Sequence, residues 1–313
     1  MTTACDRPHG LMFHHFYNEQ HIKGQGAISQ GELSQIIEYY QRDHCILPAK
    51  EWFARAEHGK LGNNDICLTF DDALLCQYEV ALPVLEHYGL TAFWFIYSSV
   101  VTGGTENLEI YRKFRTVFFD DINDFYQSFF QTVEDSPYQE TVETSLKNFS
   151  VDEYLKNFPF YTNEDRRFRY VRDIALGVEA YNTMIEIMMQ KQNIDMDEFT
   201  NDLWMKDHQV VDLHSKNHII GLHSHTHPTA LAALTKEAQR NEYTRNFRTL
   251  NQLLNSAPKA MSHPCNSYNN ETIQILNELE IKIGFRSNME ENYPSHLEFP
   301  REDHANVMER IAA

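Results

Sequence analysis

Short apolar runs alternate with helical-period segments along the chain. Residues 9–16 (HGLMFHHF), 65–70 (DICLTF), 90–98 (LTAFWFIYS), 218–225 (HIIGLHSH), 259–264 (KAMSHP) and 281–287 (IKIGFRS) have the length and texture of buried strands. Between them lie helix patterns. Residues 30–43 carry Leu33, Ile36, Ile37 and Tyr40 at helical spacing, 77–89 end on Gly89, and 269–282 repeat Ile273, Leu276 and Leu279. Strands alternating with helices through short loops predict a mainly parallel sheet, open or closed into a barrel.

One stretch breaks the alternation. From 102 to 202 aromatic and acidic residues mix, and Phe118, Ile122, Phe125 and Phe129 recur at three- and four-residue steps. This predicts a helical insertion within a single domain spanning 1–313, packed beside the mouth of a barrel and shaping its pocket; a structural lid or a homo-oligomer contact are its other uses. No Pro/Gly/Ser-rich linker marks its ends, which argues against the alternative of a separate domain.

Composition narrows the partners. Of 313 residues, 27 are Lys or Arg and 45 are Asp or Glu, a formal charge of −18 that repels phosphate backbones, so no nucleic-acid partner is expected. The 5 cysteines (Cys5, Cys45, Cys67, Cys76 and Cys265) are odd in number and contain no C-x-x-C, which predicts reduced thiols and no thiolate zinc site. No window of about 18 apolar residues and no basic-then-apolar leader is present, so the expectation is a cytoplasmic protein without a transmembrane segment.

Two stretches carry the candidate chemistry. In LTFDDAL, Asp71 and Asp72 stand together behind an apolar run, although neighbours on a strand point to opposite faces, so the pair marks a strand end opening into a site. In IIGLHSHTHPTAL, His223, His225 and His227 alternate after a strand, and alternate residues of an extended segment share a face, so His223 and His227 can converge. Two imidazoles and one carboxylate leave an open position on a hydrolytic metal, and the second Asp remains to take the proton of the attacking water.

These residues bring a family into view. LTFDDAL…VLEHYGLTAFWFI, IGLHSHTHP and SHPCNSYN together resemble the NodB-homology polysaccharide deacetylases, carbohydrate esterase family 4, over the N-terminal strand to Phe95 and again from His218 to about Val307. The resemblance implies an α/β fold, a distorted (β/α) barrel of the NodB type, and a metal-dependent amidase that removes N-acetyl or N-formyl groups from amino sugars. It implies Asp71 as catalytic base and Asp72, His223 and His227 as ligands of one divalent metal, Zn2+ first, with Co2+, Ni2+ or Mn2+ as alternatives. His225 has no role assigned by the family. Where the family usually has Gly stands Ala73, so the turn is expected to avoid positive φ.

The family's R-x-P-Y/F-G appears as SHPCN, with Ser262 where Arg is expected, although the Cys265 backbone N–H can still serve as oxyanion donor. Arg301, ahead of Arg286, is expected to replace the missing brace of the catalytic Asp. The family's late Leu-x-His is absent and its Asp-x-x-Asp-Trp motif is not recognisable after Pro264; His304 is the nearest candidate acid, with His14 and His15 as others. The expected substrate is an N-acylated amino sugar, nucleotide- or lipid-linked in surface-glycan assembly. A cyclic-imide or allantoin-type hydrolase on the same fold, and an inactive sugar-binding homologue, are the alternatives.

Overall fold

Each apolar run yields a strand, shorter than the run except at β3, which extends one residue beyond it: β1 (His9–Phe13), β3 (Asp65–Asp71), β4 (Phe93–Ile96), β5 (Ile219–Leu222), β6 (Ala260–Ser262) and β7 (Ile283–Phe285). Two more come from segments whose apolar pattern is too short to stand out, β2 (Cys45–Ile46) and β8 (Arg301–Asp303). The architecture is that of a computed structural model, which describes residues 7–156, 161–290 and 295–313. It divides into two compact units, one running to Glu106 and resuming at Asp202, the other Asn107–Asn201.

In the first unit every strand pairing is parallel, in the order β7-β6-β5-β4-β3-β1-β8, with β2 beside the start of β3. A parallel bridge between Phe285 and Phe299, with the Arg286 N–H donating to the Phe299 carbonyl, brings the chain ahead of β8 alongside β7. The sheet therefore curls into a nearly closed (β/α) barrel, and its parallel strands all end at one rim. That rim is where a site can be built from many strands at once.

Packing fixes how closely the strands approach. Trp52, Phe93, Phe95, Ile283, Phe285 and Phe299 form one buried cluster. At Gly221 a Cβ would lie 2.7 Å from the Ala260 carbonyl oxygen and from the Phe95 ring, so β5 seats against β6 only because that position has no side chain. At Gly10 a Cβ would come within 3.0 Å of Thr69 Cγ2 and 3.1 Å of Arg301 Cγ. The bare backbone of β1 thus makes room for an arginine to cross the barrel.

The second unit is helical in its regular elements, from Asn107–Phe118 through Ile122–Glu134, Gln139–Leu146, Asn163–Tyr170 and Gly177–Gln190 to Met196–Thr200. It has its own core. Phe125 and Phe129 of the predicted stripe are buried with Phe114, Phe168, Met184 and Ile185, whereas Phe118 remains 37% exposed. Rings of Phe125, Phe129 and Phe168 contact one another, the partner that the amphipathic spacing required. Among the described residues no helix is long and apolar enough to cross a membrane.

Candidate active site and metal centre

Alternation along β3 places Cys67, Thr69 and Asp71 on one face, with Asp71 at the rim. Its neighbour would point away if the strand continued. Instead Asp72 has φ 79° and Ala73 φ 56°, so the chain turns and Asp72 comes to the same mouth. The expectation that Ala73 avoids positive φ is overturned. A residue with a Cβ in this region costs about 1–2 kcal/mol, and the neighbours hold it there. Asp72 N–H donates to the Phe95 carbonyl, while Met205 N–H to the Ala73 carbonyl and Leu75 N–H to the Leu203 carbonyl clamp the turn from the other side.

The histidine loop is held as firmly. After β5, Ser224 at φ 63° and His227 at φ 55° fold it back. Two side chains four residues apart on the helix Lys236–Leu254 brace its backbone. The Glu242 carboxylate accepts from His225 N–H at 2.9 Å and Thr226 N–H at 2.8 Å, and Asn246 accepts from His223 N–H at 3.0 Å while donating to the Ile96 carbonyl at 2.9 Å. His225 is turned aside, its Nδ1 2.9 Å from Ser98 Oγ.

The two loops bring Asp72, His223 and His227 together, all buried, with one ligand atom of each within 4.8 Å of the others. His223 Nε2 lies 3.3 Å and His227 Nε2 3.4 Å from Asp72 Oδ1. That oxygen is buried and accepts no hydrogen bond of ordinary geometry. A carboxylate oxygen that faces two ring nitrogens without bonding either has the donor set and spacing that suit a divalent cation. Burial would raise the Asp72 pKa, but the neighbouring His227, with His223 and His14, holds it well below the usual carboxylate range.

Asp71 has a different environment. Arg301 is 1% exposed and grips it as a fork, Nη1 to Oδ1 and Nη2 to Oδ2 at 2.7 Å each. The fork is itself fixed, Nε donating to the Arg286 carbonyl at 2.8 Å. Burial pushes the Asp71 pKa up, yet Arg301, with His223 and His14, brings it below the ordinary value. Arg286 contributes through that carbonyl, and its guanidinium donates to Glu290 O.

The other expected residues are spread. His14 Nε2 lies 3.9 Å from Asp71 Oδ2 and 3.9 Å from Asp72 Oδ2, with the side chain 28% exposed. His15 stacks beside His14. His304 packs against Phe13, its Nδ1 3.3 Å from the Met12 carbonyl and Nε2 2.9 Å from the Gly26 carbonyl. Cys265 sits in the turn Pro264–Asn266 after β6 at φ 49°, followed by Asn266 at φ 55°, and its thiol is exposed. The four described cysteines are not disulfide-bonded, and Cys5 lies outside the described residues.

Sequence reasoning passed over Gln77. It is fully buried, and its amide donates to the His14 carbonyl at 2.8 Å and the Asp71 carbonyl at 2.6 Å, tying the ends of β1 and β3 together. A lone amide in an apolar helix pattern was the available signal, and Glu242 with Asn246 at a four-residue step was another.

Comparison with known proteins bears on the fold. The polysaccharide deacetylase family model matches residues 174–284, a segment that contains His223 and His227. No curated protein matches the chain. Among solved structures, IcaB from Ammonifex degensii is 14% identical with a TM-score of 0.59, covering 98% of both chains. The Streptococcus pyogenes deacetylase PplD in complex with acetate is 15% identical with a TM-score of 0.55, again over 98% of both. A de-N-acetylase from Aggregatibacter actinomycetemcomitans is 13% identical with a TM-score of 0.56, over 97% of this chain and 99% of that one. At such identities the likeness speaks for the fold, and the family match covers about a third of the chain. The chain thus resembles the polysaccharide deacetylase family over residues 174–284 and shares the (β/α) barrel fold of these deacetylases.

Proposed function

We propose that the barrel unit hydrolyses the N-acetyl or N-formyl amide of an amino sugar, using one divalent cation, Zn2+ first, held by Asp72, His223 and His227. The observation that carries this reading is the buried, unbonded Asp72 Oδ1 facing both imidazoles beside a second, separately clamped carboxylate. When bound, the cation supplies Lewis acidity, lowering the pKa of a water toward about 7 and polarising the acyl oxygen.

The chain's own groups do the rest. Asp71, kept ionised by the Arg301 fork, takes the proton of the attacking water, as general base. The Cys265 N–H, a role carried over from the family's third motif, donates to the oxyanion. For the proton delivered to the leaving amine the reading favours His14 over His304. His14 is partly exposed at 3.9 Å from both carboxylates, whereas both ring nitrogens of His304 face backbone carbonyls. Gln77 holds the backbones of His14 and Asp71 in register, which keeps acid and base on the same side of the mouth.

We take the amino sugar to be carried on a nucleotide or a lipid in surface-glycan assembly. The test is acetate release, with and without added Zn2+, from N-acetylglucosamine presented on a nucleoside diphosphate, on a lipid diphosphate and as an oligomer. Metal-dependent release from a carrier-linked sugar is the expected result. Release from the oligomer alone would overturn the carrier assignment, and release from none with any divalent metal would overturn the hydrolase reading.

A further inference from the structure

The family's third motif begins with an arginine that braces the base, and in this chain that position is Ser262, the last residue of β6 and fully buried. With Arg301 bracing Asp71 from β8, a serine at this place could have been a filler. It is not packed as one. Ser262 Oγ lies 2.7 Å from His223 Nδ1 and 3.2 Å from Asp71 Oδ1, and the Ser262 carbonyl oxygen lies 3.0 Å from the same Nδ1. One hydroxyl therefore touches a side chain of each half of the site.

A hydroxyl has a single proton, so its two contacts cannot be independent. His223 turns Nε2 toward Asp72. For Nε2 to offer a lone pair to a cation, the proton of the neutral ring must sit on Nδ1, which then donates toward Ser262 Oγ and the Ser262 carbonyl. Oγ, having accepted, directs its own proton to Asp71 Oδ1. The opposite assignment, Ser262 donating to Nδ1, puts the ring proton on Nε2, removes that lone pair and withdraws the donor from Asp71. The tautomer that suits the cation and the hydrogen bond that orients the carboxylate are thus the same state of one chain of bonds.

The consequence for Asp71 is asymmetric. Oδ1 faces two donors, Arg301 Nη1 and Ser262 Oγ, while Oδ2 faces Arg301 Nη2 at 2.7 Å and lies 3.9 Å from His14 Nε2 and 4.0 Å from His223 Nε2. Two donors hold one oxygen still and leave the other turned toward the histidines. We propose that Ser262 is a positioning residue that couples His223 to Asp71, so that the cation-ready form of His223 and the working orientation of the Asp71 carboxylate arise together. The proposal rests on the amide-hydrolase reading for the roles of these two side chains.

Ser262→Ala separates the links, because His223 Nδ1 keeps the backbone carbonyl at position 262 as an acceptor while Asp71 Oδ1 loses the hydroxyl. The experiment is a double-mutant cycle on Zn2+ affinity, read by competition with a chromophoric chelator, for wild type, Ser262→Ala, Asp71→Asn and the double variant. No substrate is needed. Coupling through the hydroxyl predicts that the two substitutions are non-additive by ~5-fold or more in affinity. On a hydrolysed substrate, Ser262→Ala is expected to lower kcat ~10–100-fold with KM within about twofold, the range for a hydrogen bond to a charged group, and Ser262→Thr, which restores a hydroxyl, to recover part of it. Additive affinities in a metal-binding protein overturn the coupling and leave the hydrolase reading standing. Non-additive affinities in a protein that hydrolyses no amino sugar support the coupling and overturn that reading, and a wild type that binds no divalent metal overturns both.

Discussion

The barrel unit and the helical unit bury their polar groups in different ways. In the helical unit the core is aromatic, and a buried carboxylate such as Asp165 has ordinary partners, closing a capping box with Thr162 and accepting from the Tyr126 hydroxyl. At the barrel mouth, Asp71, Asp72, His223, His227 and Arg301 are buried against one another, and Asp72 Oδ1 is left without a hydrogen bond. Backbone strain follows the same division. Left-handed non-glycine residues occur in pairs at the three loops of the mouth, Asp72 with Ala73, Ser224 with His227, and Cys265 with Asn266, whereas the cases elsewhere are isolated, Asn217, Asn255 and Glu280 in the barrel unit and Leu155 and Asn193 in the helical unit. Strain and buried charge are costly, and their meeting at the mouth argues that function maintains them there.

The largest effect that sharpens this contrast is expected at Asp71. Asp71→Asn preserves shape but cannot accept a proton, so kcat should fall about 10²–10⁴-fold with metal retained. Turnover near the wild-type rate would remove Asp71 from the role of base.

Arg301→Met comes next. It strands a buried carboxylate and should destabilise the protein by about 3–5 kcal/mol, with much of that recovered in the double variant with Asp71→Asn. The pH sense follows from the lowered Asp71 pKa. The pair's contribution is full above the unfolded value of about 3.9 and fades as pH falls through the lower folded value, so the cost of Arg301→Met should shrink in acid. Chemical denaturation at neutral and acid pH measures it, and a pH-independent cost would contradict the account.

Phe129→Ala tests the other side of the comparison. Emptying the aromatic core of the helical unit should cost about 3 kcal/mol or more, with stoichiometric metal binding at the barrel unchanged below the melting point. Loss of metal in the folded variant would show that the division between units is not an energetic one.

Much of this arrangement was readable in advance, for identifiable reasons. The strands announced themselves because parallel strands buried on both faces are continuously apolar, and the cluster of Asp72, His223 and His227 because these residues lie within a few positions of strand ends. The three-residue β8 was too short to show a pattern, yet Arg301 on it could be suspected from a missing charge elsewhere. What did not show was backbone conformation. Alanine at position 73 argued against positive φ, and the clamp from 203–205, far along the chain, together with the Phe95 carbonyl holds it there. Gln77 and Ser262 were equally hidden, since a buried amide or hydroxyl reveals its partners only when distant strands assemble.

The central claim is that Asp72, His223 and His227 form one metal centre at the barrel mouth. Its most direct test is the metal content of purified protein after equilibration with Zn2+ and removal of excess, for wild type and for His223→Ala. The account predicts one equivalent in the wild type and a loss of nearly all of it in the variant, with the fold retained by circular dichroism. Equal occupancy in the two proteins would contradict it.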